Sequence, residues 1–439
     1  MAPSEEPFLL SHHVTPPDPG VGVLRNGPAC GATIYFMLNR NNEVTWQMWV
    51  PCMAMAACSW LAFFHRQILS VLAPTILAET GLDAQQFASI SSYFFVAYFV
   101  GNPLWGSVLD YIGLRVGMLL GVAIWTVASV SHGWMSGLMG FAAARALLGF
   151  GEGVTFPGGL RTAVESLPGT RRARAIALSF SGGTLGGAAA SYIAIPLGLK
   201  YGWRTAFAIT GAFGVVWLAL WAVVARPPFL PKHEKKSTKL AFPDLSERRL
   251  WALVFSYALP AIAPGPILTL LAIYLSQGLG VSQADLRILL LIPPLARGLG
   301  YFFWGWIADR YAQDNRRPIG MFLLLTAGSL VLGAATWTTS IAITVAIMSW
   351  ANFIGGGFQM VALKVGSYSF PREQAATMTG IASGSWALVN YILLQFLGPL
   401  FNQHRYAEAF WMIALCPMVG VLVWLFLTRA RSTERPQSA

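Results

Sequence analysis

Long apolar runs separated by short polar joints recur twelve times along the chain. A helix crossing the hydrocarbon core of a bilayer needs about 20 mostly apolar residues. Runs of that kind fall at approximately 48–71, 87–109, 115–135, 137–161, 174–197, 204–225, 250–276, 285–308, 319–337, 340–363, 376–400 and 407–428. Several carry Gly or Pro in mid-run, which packed membrane helices tolerate. Stretches of strictly alternating polarity do not occur, so the pattern is not that of a β-barrel. It predicts an all-α polytopic membrane protein, with twelve transmembrane helices in two pseudo-symmetric six-helix bundles.

The joints divide the chain further. Residues 1–47 are polar and rich in Pro and Gly, without the apolar core and cleavage site of a signal peptide, and read as a disordered cytoplasmic tail. Residues 48–225 are expected to form the N-terminal bundle and 226–249 a basic cytoplasmic linker. The C-terminal bundle follows at 250–428, with a cytoplasmic tail at 429–439.

Composition agrees with the pattern. Of 439 residues, 55% are hydrophobic and 11% charged, whereas a soluble domain carries about 25% charged residues. This excludes a cytosolic enzyme, a disordered scaffold and a secreted disulfide module. The four cysteines have no paired spacing, so neither a disulfide framework nor a metal site is expected. The net charge of +11 is explained by position. Of 29 Lys and Arg, 21 fall on the side of the termini, four on the other side (Lys200, Arg204, Arg287, Arg405) and four inside spans. That asymmetry places both termini in the cytoplasm and leaves no call for a nucleic-acid partner.

The two halves share a signature. Gly106-Ser-Val-Leu-Asp110-Tyr-Ile-Gly113-Leu-Arg115 follows span two, and Gly305-Trp-Ile-Ala-Asp309-Arg310 follows span eight, 199 residues later. Ser166-Leu-Pro before span five is echoed by Ser369-Phe-Pro before span eleven, 203 residues later. Two echoes at nearly one offset indicate a duplicated six-span unit, an arrangement that transporters use. The motif resembles the signature loop of the major facilitator superfamily. Gly106 and Gly305 are expected to let helices approach closely, and Asp110 and Asp309 to bond neighbouring helix ends and pair with arginines. Together with Gly113, Arg115 and Arg310 they form a candidate conformational latch.

Charges inside the spans need a reason, because each costs at least about 2.5–3.5 kcal/mol at mid-membrane. The one deep carboxylate is Glu152. Arg145 lies seven residues earlier, on the same helix face and about 10 Å away along the axis, too far for a direct pair. Arg66 in span one needs Glu152 or an anionic substrate as its counter-charge. Its neighbour His65 is a second candidate for coupling, because imidazole titrates near neutral pH. Arg297 in span eight follows Pro293-Pro294, a pair that suggests a broken helix facing a cavity. Lys364, near the end of span ten, can snorkel to the interface. Three arginines against one glutamate favour an anionic ligand, gripped as a carboxylate or phosphate.

Arg66, Ala97-Tyr98, and Arg145 with Glu152 and Phe156-Pro157 resemble the anion:cation symporters, a group that includes bacterial hexuronate and galactonate transporters. The resemblance implies that Arg66 and Tyr98 contact the substrate acid and that Glu152 couples to protons. It departs from the family at His65, where an aspartate is usual, and at Trp386-Ala387, where a Gly-Asn pair is usual. Asn352 and Asn390 are the polar groups picked for the neutral part of the ligand. The expected function is import of an organic acid anion, a sugar acid or other carboxylate, coupled to protons by alternating access in a bacterial inner membrane. The partners are then the small anion, protons and the lipid bilayer, around a monomer without cofactor or catalytic residues. Alternatives are an anion exchanger for sugar phosphates or dicarboxylates and a drug or metabolite exporter. No nucleotide loop or nucleophile–base pair supports an enzyme.

Overall fold

The computed structural model describes residues 45–168, 171–230, 246–311, 318–369 and 375–429. The tail expected at residues 1–47 lies outside them except for its last three positions, as do most of the 226–249 linker and nearly all of the 429–439 tail. Among the described residues there is no strand.

Each apolar run is helical. Span one is α1 (Val50–Val71), continued by α2 (Ala73–Thr80). Span two is α3 (Ala84–Ile112) and span three α4 (Leu114–Ser131). Span four divides into α5 (Leu138–Glu152) and α6 (Thr155–Ser166). Span five is α7 (Arg172–Tyr201), and span six divides into α8 (Trp203–Gly211) and α9 (Phe213–Val224). Span seven is α10 (Arg248–Ala258) and α11 (Pro264–Ile273), closed by a π turn at Tyr274–Gly278. Span eight is α12 (Leu286–Leu289) and α13 (Ile292–Tyr311). Span nine is α14 (Ile319–Ser329), running into a 3₁₀ turn at Leu330–Trp337. Spans ten to twelve are α15 (Ile341–Ser369), α16 (Ala375–Asn402) and α17 (Tyr406–Arg429). The protein is thus an all-α, twelve-span membrane protein built from two six-helix halves. Eight of the described helices are long and apolar enough to cross a membrane.

Local chemistry sets the joints. Gly81, at φ +69°, ends α2, and Asp83 starts α3 by accepting from the Gln86 backbone N–H while the Gln86 side chain accepts from the Asp83 N–H. That reciprocal capping satisfies two donors a helix start would otherwise leave bare. Gly113 (φ +86°) and Gly202 (φ +81°) make the tight joints between α3 and α4 and between α7 and α8, a backbone conformation that side chains disfavour.

The N-terminal half is drawn together by backbone contacts that tolerate no side chain. A Cβ on Gly182 would lie 2.1 Å from the Ala56 carbonyl oxygen, and one on Gly186 would lie 2.0 Å from that of Trp60. Small residues permit such approach in membrane bundles. Outside, large apolar side chains such as Phe302, Met139 and Phe426 are exposed, the surface a lipid environment wants.

Two expectations are corrected. A Cβ on Gly106 or Gly305 would meet nothing within 4 Å, so these glycines do not mediate close helix approach in this conformation. The break in span eight falls at Leu290–Leu291, upstream of the prolines, which occupy the first turn of α13. Proline fits there because first-turn N–H groups have no intrahelical partner. Arg297 therefore sits on continuous helix. The stronger interruption is in span seven, where Pro260 and Pro264 bracket unwound backbone between α10 and α11.

Candidate functional site

Arg66 projects from α1 with Phe63 one turn away on the same face. Its guanidinium carbon stands 4.6 Å from the Phe63 ring centre, 4.5 Å from that of Phe94 and 5.4 Å from that of Tyr98. Phe94 and Tyr98, four apart on α3, stack on each other. Aromatic faces attract a cation, most strongly where water is excluded. Both Arg66 Nε (3.2 Å) and Nη2 (2.7 Å) donate to Oε2 of Glu152. Glu152 is fully buried, and its Oε1 has no partner among the described residues.

Arg145 donates through Nη1 and Nη2, each at 3.1 Å, to the backbone carbonyl of Arg66. It holds the neighbouring backbone in place and makes no ion pair among the described residues. Arg66, Arg145 and Arg297 line one central cavity of about 30 Å³, together with Gln67, Thr269 and Trp386. That volume holds a water or two, while ligand pockets usually measure about 300–1,000 Å³. The helices around it are therefore closed in.

The C-terminal wall of the cavity comes from the interrupted span. Pro264, Gly265, Leu268 and Thr269 line it, and the Trp386 indole N–H donates to the freed Ala261 carbonyl at 2.9 Å. Unwound backbone in a membrane persists only where such partners exist. Arg297 Nη2 donates to Gln359 Oε1 at 3.0 Å, an oxygen that also accepts from the Tyr301 hydroxyl at 2.5 Å.

The other residues singled out in the sequence lie around this centre. His65 is buried and bonds through Nε2 to the Thr210 carbonyl at 2.9 Å, away from the cavity. Asn352 and Asn390 donate to carbonyls of their own helices, those of Met348 and Trp386. Asn390 Oδ1 lies against Gly265, whose Cβ would come within 1.7 Å of it. At the motif loops, Asp110 accepts from Arg161 at 2.8 Å and Asp309 from Lys364 at 2.8 Å. The Arg115 carbonyl accepts from Trp221, and Arg310 lies over Trp306.

Several contributors were not picked out from the sequence. Phe63 and Phe94 could have been found from their one-turn spacing to Arg66 and Tyr98. Arg161 could have been found because it precedes Lys364 by the same 203 residues as the second echo. Polar contacts between the halves gave no such signal. Gln283 donates to the Val71 carbonyl at 2.8 Å, Gln67 to that of Leu268 at 3.4 Å, and Gln395 joins Ser89 and Ser92. These contacts close the bundle at the end where spans one and two join.

A family model described as Major Facilitator Superfamily matches residues 55–392 and again 250–439. The chain belongs to the major facilitator superfamily. Among relatives of this facilitator, the hexuronate transporter of Escherichia coli K12 is 22% identical over 402 residues, covering 86% of this chain and 93% of that protein. The D-galactonate transporter of Escherichia coli O6:H1 is 25% identical over 401 residues, covering 84% and 92%. A solved bacterial homologue of the human lysosomal transporter Spinster superposes with a TM-score of 0.73 at 17% identity, covering 88% of this chain and 98% of that one. At that identity the likeness speaks for the fold alone.

Proposed function

We propose that this facilitator imports an organic acid anion together with protons, by alternating access, across a bacterial inner membrane with both termini in the cytoplasm. Relatives named for hexuronate and D-galactonate support the anion. The observation that carries the reading is the pairing of fully buried Glu152 with Arg66, an arginine that lines the same cavity as Arg145 and Arg297.

The pair makes the Glu152 carboxylate and the substrate compete for one arginine. While Glu152 is ionised, its Oε2 occupies the donors of Arg66. A proton delivered to Oε1, the oxygen without a partner, removes the counter-charge and frees the guanidinium fork for a substrate carboxylate. An arginine presents a planar fork that matches a carboxylate. When the anion leaves, Arg66 again needs a counter-charge, and Glu152 supplies it by losing the proton. Breaking a buried pair without a replacement costs about 3–5 kcal/mol, which disfavours movement with only one of the two partners. Tyr98 would flank the bound acid. Asn352 and Asn390 would face its neutral part once the helices part. Asp110–Arg161 and Asp309–Lys364, with the neighbouring Arg115 and Arg310, would act as the latch at the opposite end. The unit is a monomer in this reading.

Uptake into proteoliposomes tests it. Glu152→Gln keeps a hydrogen-bonding group but carries no proton. Accumulation driven by a pH gradient should vanish while exchange of internal for external substrate continues. Accumulation that survives in the variant would place the coupling proton on another group.

A further inference from the structure

The charge of the central cavity does not balance. Arg66, Arg145 and Arg297 line it, and Glu152 is the one carboxylate that reaches any of them among the described residues. Arg145 is bonded to a neutral carbonyl. Arg297 is only 6% exposed, is bonded to a neutral amide oxygen, and leaves Nε buried without a partner among the described residues. Neutral acceptors satisfy donors but do not cancel charge. With Glu152 ionised, the formal charge at the cavity is therefore +2, and a cation taken out of water without a counter-ion is costly.

Position says the third cation is not inherited from the fold. Arg297 occupies the place in span eight that Tyr98 occupies in span two, 199 residues earlier. Around it the repeat is kept. A Cβ on Gly101 would meet the Phe150 carbonyl oxygen at 2.9 Å, and one on Gly300 would meet that of Phe353 at 2.4 Å. The helix pair therefore assembles in the first half without an arginine at this site. Gln359 and Tyr301 then hold Arg297 at the cavity, an arrangement that positions a charge without neutralising it.

We infer that the transported anion carries two negative charges: one end is held by Arg66 on the N-terminal wall, and the second charge is met by Arg297 on the C-terminal wall. This rests on the transport reading above and narrows its substrate class to dianions. Either a diacid or a phosphate ester supplies that charge.

The test measures competition for binding to the purified wild-type protein by a sugar monoacid, a sugar diacid of the same carbon number and a sugar phosphate. Wild type should bind the diacid or the phosphate at least tenfold more tightly than the monoacid, and the better of the two identifies the source of the second charge. Arg297→Gln should cut dianion affinity at least tenfold more than monoacid affinity. Arg297→Lys, which restores charge without the fork, should recover part of the preference. A wild type that prefers the monoacid overturns the inference and leaves anion transport standing. So does a glutamine variant that loses affinity equally for all three. Absence of binding by every anion in the panel would remove the transport reading and the inference together. If the glutamine variant does not fold, the wild-type preference and the lysine variant still decide.

Discussion

The two halves keep the same backbone contacts and differ in the chemistry they present to each other. Spans two and four meet through Gly101 against the Phe150 carbonyl, and spans eight and ten through Gly300 against that of Phe353. Each motif aspartate reaches a basic residue one helix away, Arg161 in one half and Lys364 in the other. At mid-membrane the likeness stops. The first half buries an acid–base pair beneath aromatic rings, whereas the second presents an arginine bonded to an amide and a phenol. Close glycine–carbonyl contacts leave no room for change, because an added methyl strikes backbone. A residue facing a cavity has no such neighbour, so it is free to differ between duplicated halves.

The glycine contacts carry the largest expected effect on stability. Gly101→Ala and Gly300→Ala should each destabilise the protein by about 1–3 kcal/mol, the range for forcing extra atoms into a packed site. Gly300 should suffer more, its Cβ lying closer to the opposing oxygen. Gly106→Ala and Gly305→Ala face open space and sit in helices, where alanine is favoured over glycine by about 1 kcal/mol. They should be neutral or stabilising. Thermal unfolding in detergent reads all four. Equal losses in both pairs would break the distinction between packed and open glycines.

Next comes the fork. Arg66→Lys retains charge but cannot make two parallel bonds to one carboxylate. A charged hydrogen bond is worth about 1.5–3 kcal/mol, so substrate affinity should fall roughly 10- to 100-fold. Near-normal uptake would show that Arg66 serves only to balance Glu152.

The motif aspartates should matter less. Asp110 and Asp309 are partly exposed, the second more than the first, and exposed ion pairs contribute about 0–1 kcal/mol. Asp110→Asn should slow turnover a few-fold, because Arg161 also bridges to Glu165 and anchors the end of α6. Asp309→Asn should have the smaller effect. The reverse order, in initial uptake rates, would mean that the C-terminal loop controls the conformational change.

The spans were legible because the hydrocarbon thickness imposes a length on every one of them, and helix ends at Gly81, Gly113 and Gly202 fall at joints in the apolar pattern. Interruptions were less legible. The interruption between α10 and α11 at Pro260 and Pro264 was not expected, and the proline signal at Pro293-Pro294 was read as a break when first-turn positions absorb it. At the site, the sequence narrowed the counter-charge of Arg66 to Glu152 or a ligand. Choosing between them required knowing which faces of α1 and α5 meet, and that depends on contacts such as Gly182 with Ala56, which leave no trace in hydropathy. The Gln67 and Gln395 contacts were invisible for a related reason: a lone amide in a span looks the same whether it bonds its own helix or the opposite half.

His65 offers the smallest expected effect and sharpens the comparison between structural and coupling groups. A carbonyl oxygen can only accept, so the bond to Thr210 requires that Nε2 carry its hydrogen and donate. Nδ1 is buried without a partner among the described residues, and a proton added there would find no acceptor among them, which is costly for a buried donor. The ring also packs beside Phe64. His65→Gln can place an amide N–H toward the same carbonyl, so stability should change by less than about 1 kcal/mol. The pH dependence of uptake should stay that of the wild type, because in the proposed cycle the group exchanging protons is Glu152. A displaced pH profile in this variant, with folding intact, would instead bring the imidazole into the proton path.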